Sequence, residues 1–448
     1  MNTFLFLSMF GSFGLLYFIL GIRASKKVQT DTDYFIANRQ LGIWQISSNL
    51  IATQLGGGML LGTAVSAYSI GYYGIFYTLG MALGFILLGC GIASRLQQFK
   101  VTTTAQLFET QYNSAFLKKI ASLLSIITLF GILIAQVVGF KSLMLAIGFG
   151  SWWIVLPFWL SVIAYTMIGG LRAITINDMV QLVIISCTFM SIFLFSIFSS
   201  STPIFNFIKQ QSLFKSESFS FAMISSIVLM PALFSLIEQD LAQRFFASQS
   251  QRVAKISAFN AAIFLLLFAS IPVYLGMQVK LMGLVVPEGA NPLIIFLENM
   301  VPQILFALAL CAIVAAIIST ADALMNGISA NITQDFKIAQ RAQLKNSLLI
   351  SKITTAFVGI SSLVASYLVS SDIINILITS YELSVSCLLV PLLFCYFKKE
   401  VNKNAAFAAV IAGLLGFIIF RIFPLWIPKE LLALALSLIG YLFGNLIK

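Results

Sequence analysis

Cutting the chain at its charges and turn-forming residues leaves about thirteen apolar runs, most of them near the ~20 residues that a helix needs to cross a bilayer core. They cover approximately residues 3–22, 43–66, 74–94, 119–147, 151–168, 178–199, 219–238, 257–278, 302–335, 346–370, 373–397, 404–421 and 425–447. Only short polar loops separate them. The pattern predicts an all-α polytopic membrane protein with about 13 transmembrane helices, without room for an added soluble domain. The run at 3–22 has no basic leader and no small-residue cleavage site before Arg23, so it is expected to be a retained helix and not a signal peptide.

Two runs carry interruptions. The segment at 43–66 places Gly56, Gly57 and Gly58 in mid-membrane, where successive glycines weaken helix and let backbone approach a ligand. The run at 219–238 contains Pro231, which lacks an amide and crowds the preceding turn. Glycine and proline also serve as packing notches in membrane helices. Their placement favours more than that, because each opens a block of five spans. A five-span block inserted twice is inverted the second time, so 43–199 and 219–397 read as a 5+5 inverted repeat whose first helices are both broken. Residues 3–22 then form an extra N-terminal helix, and 404–447 hold two C-terminal helices.

Composition supports the membrane reading: 60% of residues are hydrophobic and 9% charged, against roughly a quarter charged in a soluble domain. The net charge of +11 is an orientation signal. With the N-terminus outside, Lys141, Lys209, Lys215, Lys280, Arg421 and Lys429 are the outer basic residues, leaving the other twenty of 26 on the cytoplasmic side with the C-terminus. Scattered through short loops, they form no patch for nucleic acid. Histidine is absent, which excludes imidazole-based catalysis, proton relay and metal ligation. Cys90, Cys187, Cys311, Cys387 and Cys395 lie in apolar runs without CxxC spacing and read as small buried hydrophobes.

Unwound backbone in a membrane frees carbonyls that a cation can satisfy. The run at 302–335 offers a matching face, since Ala316, Ser319 and Thr320 stand at i, i+3 and i+4. Sodium prefers such hard oxygen ligands; the alternative is that the hydroxyls bond back to their own i−4 carbonyls. Asp322, Asn326 and Ser329 continue a polar stripe that should face protein or water. Three acids, Asp178, Asp322 and Glu382, sit at or inside spans, where an ionisable group marks an ion or solute route by default. A helix cap for Asp178 and a neutral packing role for Glu382 are the plainer readings.

These residues resemble the sodium:solute symporter family, which includes bacterial proline, pantothenate, sialic acid and sodium/sugar symporters. WQISSNLIATQLGGGMLLGTAVSAYSIG is similar to the family's first core helix, IGGLRAITINDMVQ to its GGL-x-A-V-x-x-TD-x-x-Q signature, and EQDLAQRFFA to its cytoplasmic QR segment. The stretch from Asn291 to Asp335 is similar to its external loop and eighth core helix. The resemblance implies a LeuT-like 5+5 fold and Na+ as coupling ion. Its sodium site falls on the carbonyls of Ala52, Leu55 and Ala316 and the hydroxyls of Ser319 and Thr320. A second ion site, found in some members, falls on Asp178 and on two serine positions that are Asp322 and Ala323 here. The solute pocket falls on Gln54, Gly57, Gly58, Met59, Tyr77 and Glu382. The sugar carriers have a polar pair where this chain has Gly58 and Met59, so a hexose is disfavoured; Glu382 meeting an amine would suit an amino acid or other small polar metabolite.

The expected function is therefore sodium-coupled import of a small polar organic solute by alternating access, from a multi-pass position in a bacterial inner membrane, with no nucleic acid and no obligate protein partner. A proton-coupled carrier using Asp322 or Glu382 is the nearest alternative. A non-transporting sensor is another, and a membrane-embedded enzyme lacks both a histidine base and an acidic metal motif.

Overall fold

A computed structural model describes residues 3–199, 224–287, 289–338, 346–369, 373–398, 400–423, 425 and 427–447. The first residues of the run expected at 219–238, and Lys209, Lys215, Arg341, Lys345, Lys399 and Lys448 from the charge count, lie outside the described residues. Helices make up the described chain, with one isolated bridge between Leu41 and Ser248 and no named strand.

The elements used below are α1 (Thr3–Ser25), α2 (Ile43–Gln54), α3 (Thr63–Ile70), α4 (Phe76–Leu87), α5 (Ala115–Ala146), α6 (Trp152–Ser199), α7 (Met230–Phe234), α8 (Gln239–Ala247), α9 (Gln251–Phe268), α10 (Ser270–Leu281), α11 (Gln303–Ala330), α12 (Ser347–Ala365), α13 (Ile373–Phe397), α14 (Lys403–Ile422) and α15 (Lys429–Leu446). Polar residues in the loops start several of them. Ser114, Ser250, Asn346 and Asn402 each accept a backbone N–H of the first turn, at α5, α9, α12 and α14. Among the described residues, ten helical stretches are long and apolar enough to cross a membrane, as a multi-pass membrane protein requires.

The expected boundaries differ where glycine acts. The runs at 151–168 and 178–199 form one helical stretch, α6, of 48 residues. At 1.5 Å per residue a straight helix of that length would be about 70 Å long, more than twice a bilayer core. Gly170, at φ 51 and ψ −154, bends it within that length. A side chain could not sit there, because its Cβ would lie 2.5 Å from the Tyr34 carbonyl oxygen. The stretch Gly58–Gln98 likewise merges two expected runs around Gly71, at φ 71.

Helix α11 is the centre of the molecule. Every residue from Ala309 to Ala330 is buried, and the helix packs on α1, α2, α5, α6, α8 and α12. Its polar stripe therefore faces protein throughout. Around it, α2 lies against α6 and α9, α3 against α10, and α13 against α5 and α7. The pair α14 and α15 packs together on the outer face of α13. Gly413 allows that contact, since a Cβ there would fall 1.9 Å from the Ser386 carbonyl oxygen.

Candidate functional site

Two gaps in the helices shape the site. Helix α2 ends at Gln54; Leu55 still donates to the Ile51 carbonyl at 3.0 Å, but with ψ at 13 it turns the chain out of the helix before the three glycines begin. A wide turn, Gly58–Gly62, restarts the helix into α3. The second gap is not at Pro231, as the sequence suggests. The chain is helical on both sides of Pro231, with a wide turn at Ser225–Leu229 directly before α7. The chain leaves the helix four residues later, over Ser235–Glu238, before α8 begins.

A helix end leaves its last carbonyls without the amides of a following turn. The terminal turn of α2 holds Ala52, Thr53, Gln54 and Leu55, and α11 reaches it directly. Thr320 Oγ donates to the Thr53 carbonyl at 2.6 Å and to its own i−4 carbonyl, Ala316, at 3.2 Å. Both readings of this hydroxyl are thus present, and the shorter bond is the one between helices. Ser319 points elsewhere, donating to Asp178 Oδ1 at 2.6 Å. Ala52, Leu55, Ala316, Ser319 and Asp178 are fully buried, and Thr320 nearly so.

The second cluster follows from Asp178. Asp322, one turn along α11, accepts from the Tyr165 hydroxyl at 2.6 Å through Oδ2. Asp178 Oδ2 and Asp322 Oδ1 are buried without a hydrogen-bond partner among the described residues, as are the side-chain amides of Asn177 and Gln181. Unsatisfied buried oxygens beside carbonyls and hydroxyls are the donor set a hard cation fits. Asn177 and Gln181 were missed in the sequence, although both lie in the motif that pointed to Asp178. Asn326 and Ser329 go to other neighbours, Gln243 at 2.8 Å and the Ser351 carbonyl at 2.9 Å.

Between the two gaps lies a narrow cavity. Gln54, Gly58, Met59 and Tyr77 line it, as do Gly56, Gln136, Glu238 and Tyr381. The Tyr77 and Tyr381 hydroxyls are 2.9 Å apart, and Phe234 stacks on Tyr381 with centroids at 4.6 Å. Gln136 accepts the Gly57 amide at 3.0 Å, and Gln54 Nε2 donates to Glu238 Oε2 at 3.4 Å. Gly57 backs the wall, facing Gln136 and Ile317. Glu382 does not join this group. Its carboxylate meets Lys429 Nζ at 2.9 Å and Arg421 at 3.6 Å, so it ties α13 to α14 and α15.

Beneath the cavity, Arg244 on α8 is buried to 1% exposure. It donates to Asn49 and, at 3.0 Å, to Thr53 on α2, and it faces Asp240 at 3.7 Å. The QR segment expected in a cytoplasmic loop is thus built into the protein interior, joining the two broken elements.

The sodium:solute symporter family model matches residues 34–413. Among solved structures the chain is similar to a Na+-coupled sialic acid symporter in a substrate-bound outward-open state, at 18% identity and a TM-score of 0.82, with 99% of this chain and 97% of that one covered. It is also similar to a nucleobase-cation-symport-1 family transporter in a closed conformation with bromovinylhydantoin bound, at 11% identity and a TM-score of 0.64, covering 94% and 95%. At such identities these two likenesses speak for the fold. With the family model matching most of its length, the chain belongs to the sodium:solute symporter family, whose members are transporters and not enzymes and use Na+ as coupling ion.

Proposed function

We propose that the protein imports a small polar organic solute by alternating access, with sodium held where α11 meets the break in α2. The observation that carries this reading is the Thr320 hydroxyl reaching from α11 to the Thr53 carbonyl at 2.6 Å. The carbonyls of Ala52, Leu55 and Ala316 and the hydroxyls of Ser319 and Thr320 would supply the ligands. Sodium there joins two elements that must part for the solute to leave inward, so its binding favours the assembled pocket and its release opens it. Asp178 and Asp322 form the second ion position or support the inward path. Solute lies in the cavity between the helix gaps, against Gln54, Gly58, Met59 and Tyr77. Among the described residues no Lys or Arg lines that cavity, which disfavours an acid such as the solute of the sialic acid symporter.

Ser319→Ala and Thr320→Ala test the ion site. Each should raise the sodium concentration for half-maximal uptake by on the order of tenfold, the equivalent of one lost polar ligand, with the protein still in the membrane. Unchanged sodium dependence in both would reduce the hydroxyls to bonds within the protein. A sodium titration at fixed pH separates this reading from proton coupling, which the unpartnered Asp322 oxygen also suits.

The thirteen-span arrangement, with its inverted halves at 43–199 and 219–397, its outer N-terminus and its cytoplasmic C-terminus in a bacterial inner membrane, belongs to the same proposal. In a cysteine-free background, Gln251→Cys should react with an impermeant thiol reagent only after cells are opened. Ser151→Cys, in the loop after α5, should react in intact cells. The reverse pattern would invert the topology.

A further inference from the structure

We infer that the solute carries a positively charged nitrogen, a protonated or quaternary amine, and that Glu238 is its charge partner. The inference rests on the symport reading above and adds the chemistry of the same cavity.

Glu238 occupies the gap between α7 and α8, with φ −60 and ψ 122, so its side chain leaves extended backbone at the cavity wall. It is 6% exposed, accepts a long bond from Gln54 at 3.4 Å, and lies beside the Asp240 carboxyl, with the Arg244 charge acting on both acids. Among the described residues no Lys or Arg nitrogen lies within 4.0 Å of it. Asp178, Asp322, Asp335 and Glu430 are also buried without such a partner, whereas Glu382 has Lys429 and Arg421, Asp33 has Arg172, and Asp240 has Arg244. Of the buried acids among the described residues, Glu238 is the one that lines the cavity. Arg244 itself is committed to Asp240, Asn49 and Thr53.

Glu238 and Asp240 share the single buried cation of Arg244, which leaves one carboxylate uncompensated, and a bound cation offsets that penalty. The rest of the lining suits one. The rings of Tyr77 and Tyr381 offer electron-rich faces, and the thioethers of Met59 and Met81 are polarisable and uncharged. An acidic solute would meet repulsion from Glu238 and find no basic partner. A hexose would find amides and hydroxyls but leave Glu238 unpaired.

The test uses the purified full-length protein and its thermal unfolding. Sodium is added alone, then at saturation with matched probes: choline against 3,3-dimethylbutanol, L-alanine against lactate, and L-proline against cyclopentanecarboxylate, with glucose and a sialic acid as further non-amines. The expected result is stabilisation by at least one amine and binding of its nitrogen-free partner at least tenfold weaker. Glu238→Gln should weaken that amine by on the order of ten- to a hundredfold, as loss of a charged hydrogen-bond partner does, while the shift given by sodium alone persists. Should that variant fail to fold, Glu238→Asp and the matched pairs on the unaltered protein decide.

Equal binding of an amine and its nitrogen-free partner overturns the inference, as does silence from every amine beside an intact sodium response. A changed response to sodium alone in Glu238→Gln makes Glu238 an ion ligand and overturns it too. Absence of any sodium response in the unaltered protein overturns the symport reading instead, while discrimination between an amine and its partner would still support Glu238.

Discussion

Gly56→Ala should nearly abolish sodium-coupled uptake, whereas Gly57→Ala, one residue on, should leave it close to normal. A Cβ on Gly56 would stand 2.4 Å from Thr320 Oγ and 2.9 Å from Gln136 Oε1. The hydroxyl that bridges α11 to the Thr53 carbonyl would have to move, and α11 is packed on all sides, so its backbone cannot retreat. Overpacking of this kind amounts to about 1–3 kcal/mol, or on the order of ten- to a hundredfold in sodium affinity if it falls on the ion site. On Gly57 the nearest atoms would be 3.5 and 3.6 Å away, ordinary contact. Gly58 is a third case: its Cβ would meet the flexible end of Leu377 at 2.5 Å and the Tyr77 hydroxyl at 3.3 Å. Both residues line the cavity, so Gly58→Ala should weaken solute binding more than sodium binding. Sodium and solute dependence of uptake by the three variants in proteoliposomes checks the order. Wild-type sodium affinity in Gly56→Ala would remove the ion from this contact.

The sequence marks the glycine segment because three glycines in an apolar run have no equal elsewhere in the chain. It misses which of them touches α11, since that depends on how α2 and α11 approach, a relation between residues more than 250 positions apart. Length and hydropathy show the apolar runs well, yet α6 hides its division because Gly170 acts through a positive φ, not through a polar loop. Pro231 misleads for a local reason: the helical stretch runs through it, with a wide turn at Ser225–Leu229 just before it, and the chain leaves the helix only at Ser235–Glu238. Glu238 goes unnoticed because an acid at the end of an apolar run reads as the start of a loop. Glu382 draws notice for its place inside a span, but its partners Lys429 and Arg421 lie in another pair of helices. The oxygen-bearing face of α11 is legible because its spacing is set by one helix. Whether its hydroxyls turn toward α2 or α6 is set by packing alone.

Arg244→Met should be the most destabilising single change near the site. Met has similar reach, so the packing volume is largely kept, and the loss falls on charge and hydrogen bonds. Asp240 is fully buried, and neither carboxylate oxygen has a hydrogen-bond partner among the described residues; Arg244 is the cation beside it, at 3.7 Å. Removing one member of a buried pair leaves the other uncompensated, a loss of about 3–5 kcal/mol. Asn49 and Thr53 on α2 also lose a donor. Adding Asp240→Asn should recover a large part of the stability by removing the stranded charge, and a double-mutant cycle on thermal unfolding in detergent measures the coupling. Arg244→Lys should fall between, because a point charge cannot serve Asn49, Thr53 and Asp240 together as a planar fork does. The same contacts join α8 to α2 on the side of the cavity proposed to face the cytoplasm, so they must part for an inward release. Variants that still fold should therefore favour the inward-open state. A cysteine at Thr53 should label faster from the cytoplasmic side in the Arg244→Lys background than in an otherwise unaltered Arg244 background carrying the same cysteine. Equal labelling, together with full stability of Arg244→Met, would show that α2 and α8 are held together by packing and that the arginine is not part of the inner closure.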